Sequence, residues 1–191
     1  MLFRSYVIVE WFDGMSLNSL RETVASARPA HIHNRQNEIL TIGSTTLRSL
    51  PEWLALDIGI AVAEGLAAAH QAGIVHGDVK PGNVIIPRRT INGIEGVLDI
   101  AIGKVADLDR TMEPGFGEWR GTPGYLAPEH IDHPKNPTKM SDVFSIGALL
   151  YDILTGRPPY VGDTVDEVRT NTHHMFLPIR KLAPHVSAES A

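Results

Sequence analysis

A chain of 191 residues, 43% hydrophobic and 20% charged, has the composition of a soluble globular domain with one good-sized core. Its 17 Lys and Arg against 22 Asp and Glu leave a net charge of -5, which excludes a broad basic surface for nucleic acid. The absence of cysteine excludes a disulfide framework and a thiolate metal site; with no signal-peptide pattern or membrane-spanning run, a cytoplasmic protein is expected.

The first element, "SYVIVEWF", is apolar, β-branched and aromatic, and reads as a strand closed by the Asp13-Gly14 turn. A short helix is expected from Ser16 to about Ser26, followed by the polar, poorly periodic "ARPAHIHNRQNEILTIGSTT", read as a loop or insertion. Ser49 and Glu52 have capping-box spacing, and a helix apolar on most faces runs from there to Gly73. Short strands "VII" and "GKVAD" follow, then a Gly/Pro-rich segment from Pro114 to Pro128. A second apolar helix spans Ser141 to Leu154 and stops at Gly156 and Pro158. Helices apolar all round are buried, so a mainly α fold (α+β overall) is expected, a helical core with short β-hairpins.

Chemistry concentrates in "GIVHGDVKPGNVII", where Asp78, Lys80 and Asn83 share a turn between two apolar runs. Buried flanks hold a loop rigid enough to fix polar groups. A carboxylate, an ammonium and an amide suit phosphoryl transfer: one takes a hydroxyl proton, one neutralises phosphoryl oxygens, one ligates Mg2+. The alternative is a surface ion pair beside a turn asparagine. "GKVADLDR" offers Asp107 as a second hard ligand, with Asp99 as its rival.

These segments together resemble the C-terminal lobe of a bacterial-type, eukaryotic-like serine/threonine protein kinase. "HGDVKPGN" resembles the catalytic loop His-Arg-Asp-Leu-Lys-Pro-x-Asn, and "ADLD" the Asp-Phe-Gly metal motif. "GTPGYLAPE" matches the end of an activation segment, "SDVFSIGALLYDILTGRPPY" the central helix, and "YVIVEWFDGMSL" the hinge strand and hinge. The resemblance implies one partial kinase domain over residues 1–191, with hinge strand and hinge in 1–15 and C-lobe in 16–191. It implies Asp78 as base, Lys80 as γ-phosphate contact and Asn83 and Asp107 as Mg2+ ligands. Thr122 would bond to the catalytic loop. Val9, Glu10 and Phe12 would face adenine of ATP, Val84 and Ile85 would pack beneath it, and Asp142 would anchor the loop backbone. The implied partner is a protein substrate with Ser or Thr, together with a missing or separate N-lobe.

Departures from the family pattern carry further expectations. No Gly-rich loop with a paired strand Lys is recognisable in these residues, so weak transfer by this polypeptide alone is expected. A scaffold or remnant, or a small-molecule phosphotransferase of the aminoglycoside or choline kinase type, are the alternatives. Gly77 replaces the family Arg that grips an activation-segment phosphate, and Thr111 is the only hydroxyl residue between Asp107 and Thr122. Activity independent of phosphorylation there follows. Glu129 is expected to be unpaired. His31, His33, His130, His133, His173 and His174 are read as solvated loop histidines, and His76 as a packed structural residue.

Overall fold

The computed structural model describes residues 13–26, 28–43, 48–100, 104–105, 122–134, 136–162, 164–172 and 176–190. Strand β1 (Gly14–Ser16) leads into helix α1 (Leu17–Ala25), where the Ser16 hydroxyl accepts the Ser19 N–H. Two short strands, β2 (Ala30–His33) and β3 (Ile39–Ile42), pair antiparallel as a hairpin. Helix α2 (Glu52–Gln71) then runs to the loop bearing Asp78.

After a single 3-10 turn at Pro81–Asn83 come β4 (Val84–Ile91), β5 (Ile94–Asp99) and β6 (Lys104–Val105). The elements that follow among the described residues are helices: α3 (Pro128–Asp132), α4 (Lys139–Thr155), α5 (Val165–Thr172) and α6 (Ile179–Leu182).

The strands form one sheet in the order β1-β4-β5-β2-β3, with β6 also on β4. Strand β4 serves two ladders. Its first half pairs with β1 and β6, and its second half with β5. The β2 hairpin joins β5 in parallel, His33 opposite Asp99.

The expected C-lobe helical core with short β-hairpins is therefore corrected. A six-stranded sheet begins ahead of the first helix and shares the core with the helices. Ile32, Ile42, Val84, Ile86 and Leu98 from strands lie in one cluster with Leu17, Leu54, Ile58, Leu149 and Ile153 from helices. The "loop or insertion" hid two strands because each is four residues long, too short for period-two alternation to stand out. A smaller cluster of Leu126, Ile131, Tyr160 and Val168 sits with Phe144.

Helices α2 and α4 cross closely at Gly59, where a Cβ would lie 2.8 Å from the Leu150 side chain. By length and apolarity α2 could cross a membrane, yet Leu54, Ala55, Ile58, Val62 and Leu66 are buried in this core. The Ser49 capping box does not form: Pro51 is the N-cap, and Glu52 instead accepts the N–H and hydroxyl of Ser187. Thr138 caps α4 in a reciprocal box with Ser141, and Gly156 closes it at a φ of 85°.

Candidate active site

The loop between α2 and β4 is built from its flanks inward. Val79 and Val84, both in the main core, bracket Lys80 to Asn83 and tie the loop to the helices beneath. Gly77 sits at a φ of 76°, a left-handed turn that glycine adopts without cost. Asp142, fully buried in the first turn of α4, accepts the Gly77 N–H at 2.8 Å and the His76 N–H at 3.0 Å. His70 at the end of α2 places Nε2 2.7 Å from the same carboxylate. A buried carboxylate is tolerable because these donors surround it.

Asp78 gathers the site. Its carboxylate lies 2.9 Å from Lys80 Nζ, and it accepts the Asn83 amide at 3.1 Å and the Thr122 hydroxyl at 3.2 Å. Asn83 also donates to the Asp78 carbonyl at 2.8 Å. The Asn83 nitrogen is committed to Asp78, and its amide oxygen is a hard donor of the kind that suits Mg2+. Asp107, the second expected ligand, lies outside the described residues, as do Val9, Glu10 and Phe12. Among the described residues no group of three His, Asp or Glu gathers for a metal.

Val84 and Ile85 alternate across β4. Val84 is buried in the core, whereas Ile85 faces the other way and is half-buried, so Ile85 keeps surface for a ligand.

The structure holds buried polar contacts beside the site that the sequence reading missed. Arg21 of α1 clasps the Asp152 carboxylate of α4 with two bonds of 2.7 and 2.9 Å. The Tyr125 hydroxyl donates to the same carboxylate at 2.6 Å, and Tyr125 N–H bonds to Thr122 O. Burial, reinforced by the Asp152 charge, pushes the Tyr125 phenol well above its ordinary value. The signal was present: Arg21 falls at a core spacing after Leu17, and Asp152 interrupts an apolar helix. Charges in such places are paired.

The expected solvated histidines divide. His33 lies in β2, with Nδ1 3.1 Å from Asp99 and Nε2 3.0 Å from Asn37. Its pKa is raised, chiefly by the bond to Asp99. Arg89 takes the other Asp99 oxygen at 3.2 Å, so Asp99 serves the sheet. His130 is buried in α3, and burial pushes its imidazole pKa down. Glu129, expected to lack its Arg partner, has no ion pair among the described residues and is met by the Ser141 hydroxyl at 3.3 Å. His173 and His174 lie outside the described residues.

Residues 6–190 match the protein kinase domain family model. The chain belongs to the protein kinase family. This kinase domain combines a sheet with helices rather than a purely C-lobe helical core. A probable serine/threonine-protein kinase of Streptomyces coelicolor is 35% identical over 160 residues, 83% of this chain and 20% of that protein. The serine/threonine-protein kinase PknB of Mycobacterium leprae is 32% identical over 159 residues, covering 83% and 21%. The serine/threonine-protein kinases drp72 of Corynebacterium efficiens is 42% identical over 120 residues, 61% of this chain and 21% of that one. By family, then, this is a protein kinase domain, and these bacterial relatives are named serine/threonine-protein kinases. The chain spans about a fifth of the length of these relatives.

Proposed function

We propose that this domain transfers the γ-phosphoryl group of ATP, with Mg2+, to a Ser or Thr hydroxyl of a protein substrate. The observation that carries the reading is the Asp78 carboxylate held by Lys80, Asn83 and Thr122 within 3.2 Å. In this reading the substrate oxygen attacks the γ-phosphorus, the bond to the β–γ bridging oxygen breaks, and ADP leaves. Asp78 takes the hydroxyl proton. Lys80 neutralises the transferring oxygens, and Thr122 holds Asp78 in place. Mg2+, on Asn83 and Asp107, would offset the charge that develops between the β- and γ-phosphates. Ile85, with Val9, Glu10 and Phe12, would form the adenine surface. A cytoplasmic setting, where ATP is abundant, fits the cysteine-free chain.

The decisive experiment is phosphorylation of a protein substrate by wild type and Asp78→Ala, with nucleotide affinity measured in parallel. Loss of a positioned base lowers the rate by roughly 10²–10⁴-fold. Nucleotide affinity should change far less, since Asp78 acts on the acceptor hydroxyl. Equal transfer by the two proteins would overturn the assignment.

A further inference from the structure

Away from the Asp78 loop, a cleft of about 180 Å³ opens between the end of α4 and the segment before α6. Its walls are aromatic. Phe176 stands edge-on to Tyr151 at 5.6 Å and to Tyr160 at 6.3 Å. Tyr160 in turn stacks on Phe144 at 6.1 Å. The Tyr151 hydroxyl donates to Leu177 O at 2.8 Å, pinning one wall, and Asn171 fixes the other through Val161 O at 2.6 Å. Burial raises both tyrosine pKa values, so the phenols stay neutral.

The rim is apolar and open, with Val161 55%, Phe176 48% and Leu177 46% exposed. Large apolar side chains clustered around a concave aromatic floor mark a contact surface rather than scattered surface residues. Among the described residues, one charged side chain lines the cleft, and it is a cation, Arg157. Arg157 is exposed and makes no ion pair among the described residues. An aromatic floor with an exposed guanidinium beside Tyr151 at its edge, hydrogen-bonded to that phenol but to no carboxylate among the described residues, fits an apolar side chain flanked by carboxylates.

The cleft also touches the segment that serves Asp78. A Cβ at Gly124 would lie 2.8 Å from Tyr160 O and 3.3 Å from Pro158, so the cleft loop abuts the Thr122–Tyr125 turn directly. A chain seated here lies beside the Thr122–Tyr125 turn.

We propose that the cleft of Tyr151, Arg157, Tyr160, Val161 and Phe176 docks an acidic segment of the protein substrate, anchored by one leucine- or phenylalanine-sized side chain. This rests on the reading of the domain as a kinase of proteins. It adds a recognition site remote from the phosphorylated residue.

The test uses the purified chain without nucleotide and the peptide fluorescein-Gly-Asp-Glu-Leu-Asp-Gly, followed by fluorescence anisotropy. Saturable binding is expected, weakened about tenfold when Leu is replaced by Ala or the acids by Lys. Arg157→Glu should weaken the acidic peptide by about the same factor and reverse the preference toward the lysine peptide. Phe176→Ala should weaken both. Arg157 is exposed, so its variant should keep the wild-type unfolding curve.

No saturable binding up to about 1 mM, equal affinity for the three peptides, or an unaffected Arg157→Glu protein overturns the proposal. So does sedimentation showing a dimer that Phe176→Ser abolishes, which would assign the cleft to a second copy. Because no ATP is present, failed phosphoryl transfer leaves the binding result standing. Failed docking, conversely, leaves the Asp78→Ala comparison standing.

Discussion

At Asp78, carboxylate orientation is shared among side chains from two parts of the chain. Lys80 and Asn83 come from the same loop, whereas Thr122 reaches in from 44 residues away. Thr122→Ala would leave one carboxylate oxygen without that donor. A hydrogen bond to a charged group is worth about 1.5–3 kcal/mol. Part of that sum should appear as a fall in kcat of about tenfold, measured by steady-state transfer, with the KM for ATP little changed. A fall in ATP affinity alone would place Thr122 elsewhere in the mechanism.

His33 gives the residue scale a pH signature. Its folded pKa is raised by Asp99, so the native state binds the proton more tightly than the unfolded chain does. The stabilisation is fully present below the unfolded value of about 6.5 and is lost as pH rises through the folded value. Imidazole NMR titration should place His33 above 6.5 in wild type. In Asp99→Asn it should return toward the ordinary value. A wild-type midpoint at or below 6.5 would show that the pair is not formed in solution.

Residue chemistry was the most legible part of the sequence. Asp78, Lys80 and Asn83 are near neighbours in the chain, so the local turn alone brings them together. Gly156 was readable as a helix stop, whereas Gly77 was read only as the replacement of an Arg and its left-handed backbone came from the structure. The Arg21–Asp152 pair was not, because its partners are 131 positions apart and only the packing of α1 on α4 joins them.

Between elements, two contacts govern how α4 sits. The first is Gly59 against Leu150, where the helices approach too closely for a larger side chain. Gly59→Leu should cost about 1–3 kcal/mol by overpacking, read as a shift in the urea midpoint. The second is the Arg21–Asp152–Tyr125 cluster, which ties α1, α4 and the Thr122–Tyr125 turn together. Asp152→Ala leaves the Arg21 guanidinium buried and uncompensated, a change that costs about 3–5 kcal/mol. A shift below 1 kcal/mol would mean that water reaches Arg21 and the cluster is peripheral. The two long helices were legible because their apolar residues are numerous and continuous. The hairpin of β2 and β3 was not, since its hydrogen-bond partner β5 lies more than 60 residues downstream.

Taken whole, the described residues form two apolar bodies of unequal size. The larger unites the sheet with α1, α2 and α4, while the smaller gathers Leu126, Ile131, Tyr160 and Val168 around α3 and α5. Regions with few buried apolar contacts open at lower free energy than the main core. Native-state hydrogen exchange should therefore find the slowest amides in α2 and α4, around Ile58 and Leu149, and faster exchange in α3 and α5. Uniform protection across both would mean that they unfold as one unit. The order of the kinase motifs was readable along the chain. The sheet was not, because its strands take partners out of sequence order.

Strand β4 is a graft point. Residues 84–87 sit beside β1 and β6, next to the Asp78 loop, whereas residues 88–91 pair with β5, tied to the β1 side through the Arg88 N–H on Asp13 O. Variation beyond Pro87 can lengthen, trim or re-aim the outer hairpin while the inner register of Val84 with Val105 stays as it is. The Asp78 loop is thus set apart from whatever the outer sheet comes to do, and natural or engineered diversity has a place to accumulate.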